Sequence, residues 1–476
     1  MSTLADMRLT GREQNGASDI TTNSDSRSGW HGALRIVAKD LGTIALLTLL
    51  MPLNLALTCT ALIVRGLLNR CHSYRGSLAE DAKTVLISGG KMTKALQLAR
   101  LFRRSGHRVV LCETSKYGLT GHRFSSAVDK FVITADPTSP HYAASLRRIV
   151  EQEGVDFYVP VCSPLASLHD SEAIETLSPY CKVIHPSLEK IKTLDDKFKF
   201  ARSARSLGLG APKSFLITDP QQVLEFDFSD EHRDYVLKSI SYDSVRRLDL
   251  TKLPCASDER TEAFVRSLPI SESQPWVMQE FIPGKEFCTH STIVDGELRV
   301  HCCCESSAFQ VNYEHIDDPE IESWVRHYAA GMNLTGQVSF DFIRADDDGG
   351  LYAIECNPRT HSAITTFYDS EQVADAYLAG TASDTLTPRS DSRPTYWLYH
   401  ELWRMVKSLA NPARFRHRLQ IILQGKEAIF DWQDPLPFFL VHHFQIPTLL
   451  FRDLKHRRGF VRIDFNIGKL VQRGGD

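Results

Sequence analysis

The sequence predicts a mixed chain, part α/β and part α+β, with a parallel α/β domain near its amino end and a hydrophobic helix ahead of that domain. Three observations carry this. Runs of β-formers at 83–88 (KTVLIS), 108–113 (RVVLCE) and 156–161 (DFYVPV) alternate with helical patterns, the arrangement that builds a parallel sheet. Two further runs, 338–343 and 351–359, are joined by the turn 346–350 (DDDGG), as in an antiparallel ladder. Between 41 and 64 there is no charged residue at all.

From the amino end, residues 1–34 are polar and rich in Ser, Asn, Asp and Gly, which predicts a disordered tail. Residues 35–75 hold the apolar segment. Its uncharged stretch exceeds the ~20 residues that cross a hydrocarbon core as a helix. It begins too far from the terminus for an ordinary signal peptide. Pro52 and Asn54 at its centre also suit a re-entrant or monotopic hairpin. The expectation is a membrane-associated protein with a cytoplasmic catalytic region; a helix docked on a soluble, cytoplasmic body is the alternative. Basic residues flank both ends (Arg35 and Lys39; Arg65, Arg70 and Arg75), so they set no orientation.

The α/β domain is expected at 80–188, with a fourth strand at 183–186. Ligands of such sheets sit at the carboxyl ends of strands, here Ser88-Gly89-Gly90-Lys91 and Cys162-Ser163-Pro164. The first loop is not a P-loop, since Val85 stands where the first glycine belongs and Met92 follows Lys91. It lacks GxGxxG as well. Its glycines fit a tight turn as well as a substrate site at a helix amino terminus. No GxSxG elbow is present. With 55 basic and 58 acidic residues the net charge is -3, so no overall field draws nucleic acid. Most of the eleven cysteines lie in apolar stretches, and Cys302, Cys303 and Cys304 alternate faces without a CxxC partner, against a structural zinc.

The chemistry is concentrated at 189–387. Lys197 opens a helix after Asp195 and Asp196, and Lys238 ends a strand before the Ser-containing loop 239–247. Each suits a phosphate oxygen, and each alone also reads as a solvated lysine. In 279–287 (QEFIPGKEF) two acids flank a Pro-Gly bend with apolar residues between them. Glu280 and the backbone of Phe281 and Ile282 suit an adenine edge, and Glu286 ribose hydroxyls. Asp341, Glu355 and Asn357 should share one face of the ladder, where two carboxylates and an amide oxygen would hold Mg²⁺ or Mn²⁺. A salt bridge to Arg359 would satisfy only one of those acids. Loop 243–247 is a candidate lid.

Lys197, Lys238, the hinge and the FDF…IECNPR strands together resemble the ATP-grasp superfamily over about 190–385, with the preceding α/β domain in the place of its substrate domain. The resemblance implies ATP-grasp architecture and an ATP-dependent ligase forming a C–N bond. It puts ATP on Lys197, Lys238, Glu280, Phe281, Ile282 and Glu286, the metal on Asp341, Glu355 and Asn357, and the transferred phosphoryl beside Arg359. The strings LISGGKMTKALQLAR, LDDKFKFARSARSLGL and ECNPRTHSAITTFY are more closely similar to the mycosporine-glycine synthase family. That implies joining of glycine to the cyclohexenone 4-deoxygadusol. Adjacency to the metal residues adds His361 as a catalytic candidate, with Thr360, Ser362, Thr289 and His290 facing substrate. An amide-forming carboxylate–amine ligase and a nucleotide-binding module without turnover are the competing readings. A homodimer is compatible with all of them. Residues 388–476, a helical extension with a basic run at 455–458, lie outside the resemblance.

Overall fold

The computed structural model describes residues 29–68, 74, 77–161, 163–229, 232–240, 249–306, 312–378, 384–456 and 458–472. The tail 1–28, Cys162 and the candidate lid 243–247 fall outside them.

The first sheet contains β1 (Thr84–Ile87), β2 (Arg108–Thr114), β3 (Lys130–Thr134), β4 (Phe157–Val159) and β5 (Lys182–Val183), in the order β3-β2-β1-β4-β5 and parallel throughout. Strand order reverses between β1 and β4, so a crevice opens at their carboxyl ends. There Gly89 takes φ +66°, and a Cβ on it would stand 2.1 Å from the Val161 carbonyl oxygen. Only glycine lets the two strand ends approach so closely. β3 was not among the expected strands; its buried pattern is broken by exposed Lys130 and Ile133.

Two antiparallel sheets follow. The smaller has β6 (Ser214–Ile217), β7 (Tyr235–Ser239), β8 (Lys252–Leu253) and β9 (Trp276–Glu280), in the order β6-β9-β7-β8. The larger is built from β10 (Gly284–Val294), β11 (Glu297–Glu305), β13 (His315–Ile316), β14 (Gly336–Ala345) and β15 (Leu351–Asn357), in the order β13-β11-β10-β14-β15. Asp295 and Gly296 turn β10 into β11, both with positive φ, as a two-residue hairpin requires. Against this sheet pack the helices Lys197–Ser206 and Pro319–Gly331, through Phe200, Trp324, Tyr328, Phe340 and Phe342. Cys303 faces that core, while Cys302 and Cys304 face the other one, as strand alternation demands. Among the described residues no group of three or more His, Cys, Asp or Glu is arranged for a metal.

The carboxyl-terminal extension is part of the body. Short strands β12 (Asn312–Tyr313), β16 (Thr395–Tyr396) and β17 (Lys426–Glu427) stitch it to the second half of the chain, and β18 (Phe460–Asp464) and β19 (Lys469–Gln472) form its last hairpin. Its Trp397, Ile429, Phe438 and Leu450 share one core with Val85, Ile87, Leu98 and Phe102 of the first domain. The helix Thr93–Arg104 is sandwiched between the two and buried along nearly its whole length. Within that contact the buried Arg100 pairs with Asp434 at 3.0 Å and donates to the Ile429 carbonyl. Asp434 also accepts from Ser125 Oγ and the Ser126 amide.

The amino-terminal helix runs unbroken from Gly29 to Leu68, through Pro52, so no hairpin forms there. Asp40, Leu47, Asn54, Thr58 and Ala61 make one narrow buried stripe, while Leu46, Leu49, Leu53, Ile63 and Leu67 are exposed. Contacts at three points hold the helix along the body. Lys39 Nζ donates to the Phe460 carbonyl (2.7 Å), Asn54 Nδ2 to Tyr399 OH (2.7 Å), and Arg65 to the Gln433 carbonyl (2.8 Å). From Lys39 to Arg65 the helix rises about 39 Å, and it is tied at both ends and at its middle.

Removing one partner of a buried ion pair leaves the other charge uncompensated. Asp434→Ala should therefore cost about 3–5 kcal/mol, read as a lower midpoint in urea unfolding; a midpoint equal to wild type would show that the pair does not hold the extension.

Candidate active site

Lys238 and Gln279 point away from the small sheet's core because Tyr235, Leu237, Trp276 and Met278 point into it. Lys238 Nζ donates to Gln279 Oε1 at 2.9 Å. Burial pushes the lysine's pKa down and neighbouring Lys197 adds to this, while Glu355, Glu286 and Asp341 oppose it. The other four groups therefore lie within electrostatic reach of Lys238. Lys197 stands at the first turn of its helix, 3.7 Å from Glu355 Oε2. Asp196 caps that helix, accepting from the Phe198 and Lys199 amides.

On the large sheet, Asp341 lies directly opposite Glu355. The register shifts immediately after Asp341, where Phe342 pairs with Ala353, so Ile354 is an extra residue in β15. This bulge decides the site. Leu351 and Ala353 face the core, and simple alternation would send Glu355 after them; the extra residue turns Glu355 and Asn357 to the open face with Asp341. Asn357 Nδ2 donates to Asp341 Oδ2 (3.1 Å), and Arg359 donates to Asn357 Oδ1 (2.5 Å). Burial, and next the charge of Glu355, hold the Asp341 carboxyl above the ordinary range, with Arg359 and Lys197 opposing. Such a donor set fits a hard divalent cation, which would relieve the repulsion. Ligation by Asn357 would draw its oxygen away from Arg359. The alternative of a Glu355–Arg359 salt bridge is not what forms: Lys197 stands by Glu355 and Arg359 bonds to Asn357.

In the hinge, Glu280 is committed elsewhere. Its carboxylate accepts from the Lys213 amide (3.0 Å) and faces Arg233 (3.5 Å), which also binds Asp347 and Asp348. The Phe281 amide donates to the Asp234 carbonyl (2.7 Å). The Ile282 amide has no partner among the described residues, although Ile282 is buried. Ile282, Ile343 and Ala345, with Tyr352 and Ile354 against them, make the apolar lining beside it. Glu286 is exposed and close enough to bear on Asp341 and Lys238. A flat heteroaromatic ring would find an apolar surface and a free amide here, with Glu280 bracing the hinge from behind.

Residues after β15 lie over the crevice of the first sheet. Thr360 Oγ1 donates to the Pro160 carbonyl (3.4 Å), Ser167 Oγ to the Pro358 carbonyl (2.9 Å), and Lys94 Nζ to the Thr360 carbonyl (2.5 Å). Lys91 is held beside Glu113 (3.6 Å) and the Tyr117 ring. His361 caps the turn Ser362–Phe367 by accepting from the Ala363 amide, and burial, Lys94 and Arg359 drive its pKa down to about 3. It is thus a neutral group. Sequence reasoning passed over Gln279, Lys94 and Arg233. Gln279 sits next to the hinge acid that drew attention, but nothing local marks Lys94 or Arg233, whose partners are far along the chain.

No protein-family model matches the sequence. Among solved structures, the chain is similar to the ADP complex of N5-carboxyaminoimidazole ribonucleotide synthetase, with TM-score 0.50 and 13% identity over 70% of this chain and 87% of that one. The fold is ATP-grasp. Also similar are a Campylobacter jejuni biotin carboxylase complex (TM-score 0.49, 14% identity, 63% of this chain and 72% of that one) and Rhizobium etli pyruvate carboxylase (0.48, 17%, 64% and 30%). The chain spans under a third of that pyruvate carboxylase's length.

If the ladder carboxylates hold a divalent ion, Glu355→Gln should lower Mg²⁺-dependent ATP turnover by about 100-fold or more, and Asn357→Ala should raise the Mg²⁺ concentration needed for half-maximal rate. Near-normal rates for both across a Mg²⁺ titration would remove the ion from this position.

Proposed function

We propose that the protein is an ATP-dependent ligase that uses ATP with Mg²⁺ (or Mn²⁺) to form a C–N bond between an amine and a small acceptor. One observation carries the reading: Lys197, Lys238, Asp341, Glu355 and Arg359 gather at the end of β15, next to the residues that lie over the crevice of the first sheet. Lys197 and Lys238 would neutralise phosphate oxygens, and the Ile282 amide with its apolar surroundings would hold the adenine edge. Asp341, Glu355 and Asn357 would hold a divalent ion, which would supply charge neutralisation to the phosphates. Arg359, released from Asn357, would steady the phosphoryl group as it moves. An acceptor oxygen forms a bond to the γ-phosphorus as the bond to ADP breaks. The amine nitrogen then bonds to the acceptor carbon, the C–O bond to phosphate breaks, and the nitrogen gives up its proton.

The resemblance to mycosporine-glycine synthases narrows this to glycine as amine and the enol oxygen of 4-deoxygadusol as the phosphorylated group, giving mycosporine-glycine. Purified protein with ATP, Mg²⁺, 4-deoxygadusol and each amino acid in turn should release phosphate best with glycine, with the enaminone found by mass analysis. Release only with carboxylate acceptors would replace this by the amide-forming reading. Binding of ATP without release under any pair would make the chain a nucleotide-binding module.

The exposed leucines of the amino-terminal helix support membrane association in which the helix lies along the bilayer surface, since the helix is tied to the body at Lys39, Asn54 and Arg65. The catalytic region would then face the cytoplasm. Replacing Leu49, Leu53, Ile63 and Leu67 by Gln keeps the docked stripe and should move the full-length chain from the membrane to the soluble fraction. Wild type that is already soluble would sink the idea. A homodimer is compatible with this arrangement.

A further inference from the structure

Behind Arg359, three parts of the chain bring polar groups together that the nucleotide chemistry does not use. Lys94, from the helix after β1, is buried with its ammonium on the Thr360 carbonyl, and its charge bears on both His290 and His361. His290, on β10, is fully buried, and its Nδ1 accepts the His361 amide at 3.2 Å. A ring nitrogen that accepts leaves the other to carry the hydrogen, so His290 presents an Nε2–H donor. That buried nitrogen has no partner among the described residues. His361 follows the same logic: Nδ1 accepts from the Ala363 amide, and Nε2 is left as the donor.

Asn466, between β18 and β19, is the third part. Its backbone carbonyl accepts from the Thr93 amide, and its Nδ2 donates to Ser362 Oγ (2.6 Å). The amide is thereby oriented, yet its buried Oδ1 has no partner among the described residues. Tyr313 stands edge-on to His361 at 5.2 Å and to Trp397 at 5.9 Å, an aromatic wall beside these groups. A buried donor or acceptor left unmade costs roughly 1–3 kcal/mol, so two in one cluster call for a ligand.

We propose that Lys94, His290 and Asn466 form the acceptor-substrate site, in which Lys94 and His290 Nε2–H hold an anionic oxygen and Asn466 Oδ1 takes a hydroxyl or amine hydrogen of the same molecule. Three donors stand together here, the Lys94 ammonium and the Nε2–H groups of His290 and His361. Such donors select an enolate or carboxylate, and the unpartnered Asn466 Oδ1 selects a ligand bearing a second polar group with a hydrogen to give. This deepens the ligase reading and rests on it. It also gives the carboxyl-terminal extension a part in the site, since Asn466 belongs to it.

The test is isothermal titration of the full-length protein with 4-deoxygadusol at saturating Mg²⁺–ADP, alongside titration of ADP itself. His290→Phe and Asn466→Leu should each weaken 4-deoxygadusol binding by about tenfold while ADP affinity stays at the wild-type value. His290→Gln, which restores an N–H, should recover most of the loss. Unchanged 4-deoxygadusol affinity in both His290→Phe and Asn466→Leu overturns the proposal. If wild type does not bind 4-deoxygadusol, that substrate reading falls, and acetate and inorganic phosphate become the probes in thermal unfolding. A stabilisation by either anion that His290→Phe abolishes supports the site; equal shifts, or none in wild type, overturn it.

Discussion

One extra residue in β15 governs the geometry of the whole candidate site. With Leu351 and Ala353 packed in the core, period-two alternation would bury Glu355 beside Phe340 and Phe342. A carboxylate there would have neither water nor partner, a cost of several kcal/mol. The bulge at Ile354 reverses the parity, so Glu355 and Asn357 join Asp341 on the open face, and Ile354 itself packs beside the hinge lining. The same irregularity thus supplies both the opposed carboxylates and part of the apolar surface next to Ile282. Everything else in the cleft is arranged about that pair: Lys197 beside Glu355, Asn357 on Asp341, and Arg359 on Asn357.

The cleft is closed from behind by segments remote in sequence. Gly89 allows β1 and β4 to end against each other, and the residues after β15 settle over them through Thr360 and Pro358. The extension then locks the helix Thr93–Arg104 in place through Arg100, Asp434 and a shared core, which sets Lys94 where it reaches Thr360. The amino-terminal helix is held to this same extension at Lys39, Asn54 and Arg65. Its exposed leucines and the candidate site are therefore mechanically joined through one body.

Much of this was legible in the sequence where a signal is local. The alternation of β-formers and helices announced the parallel sheet, and the crevice at 88–91 follows from its topology. The hinge was legible from its Pro-Gly bend between two acids, and Glu355 with Asn357 as alternate residues of one strand, but that they face the same side as Asp341 depends on the bulge. Glu280 is the instructive exception. Its position beside the bend suggested a nucleotide contact, but the carboxylate is spent on the Lys213 amide and Arg233, residues 67 and 47 positions away. No local pattern reveals such partners. His361 likewise looked like a catalytic candidate from its neighbours, and its own turn claims its Nδ1 as a cap.

By itself, the sequence determined the class of the sheets, the residue types able to meet phosphate and a divalent ion, and the presence of a long apolar helix, because propensity, alternation and composition act over a few residues. Tertiary structure decided which of those residues face the cleft, which are consumed in bracing it, and how the helix lies. A bulge depends on the partner strand, a buried ion pair on chain segments more than 300 residues apart, and a donor without a partner among the described residues, such as His290 Nε2, on everything packed around it. Those are properties of closure in space, and they exist only once the three parts have come together.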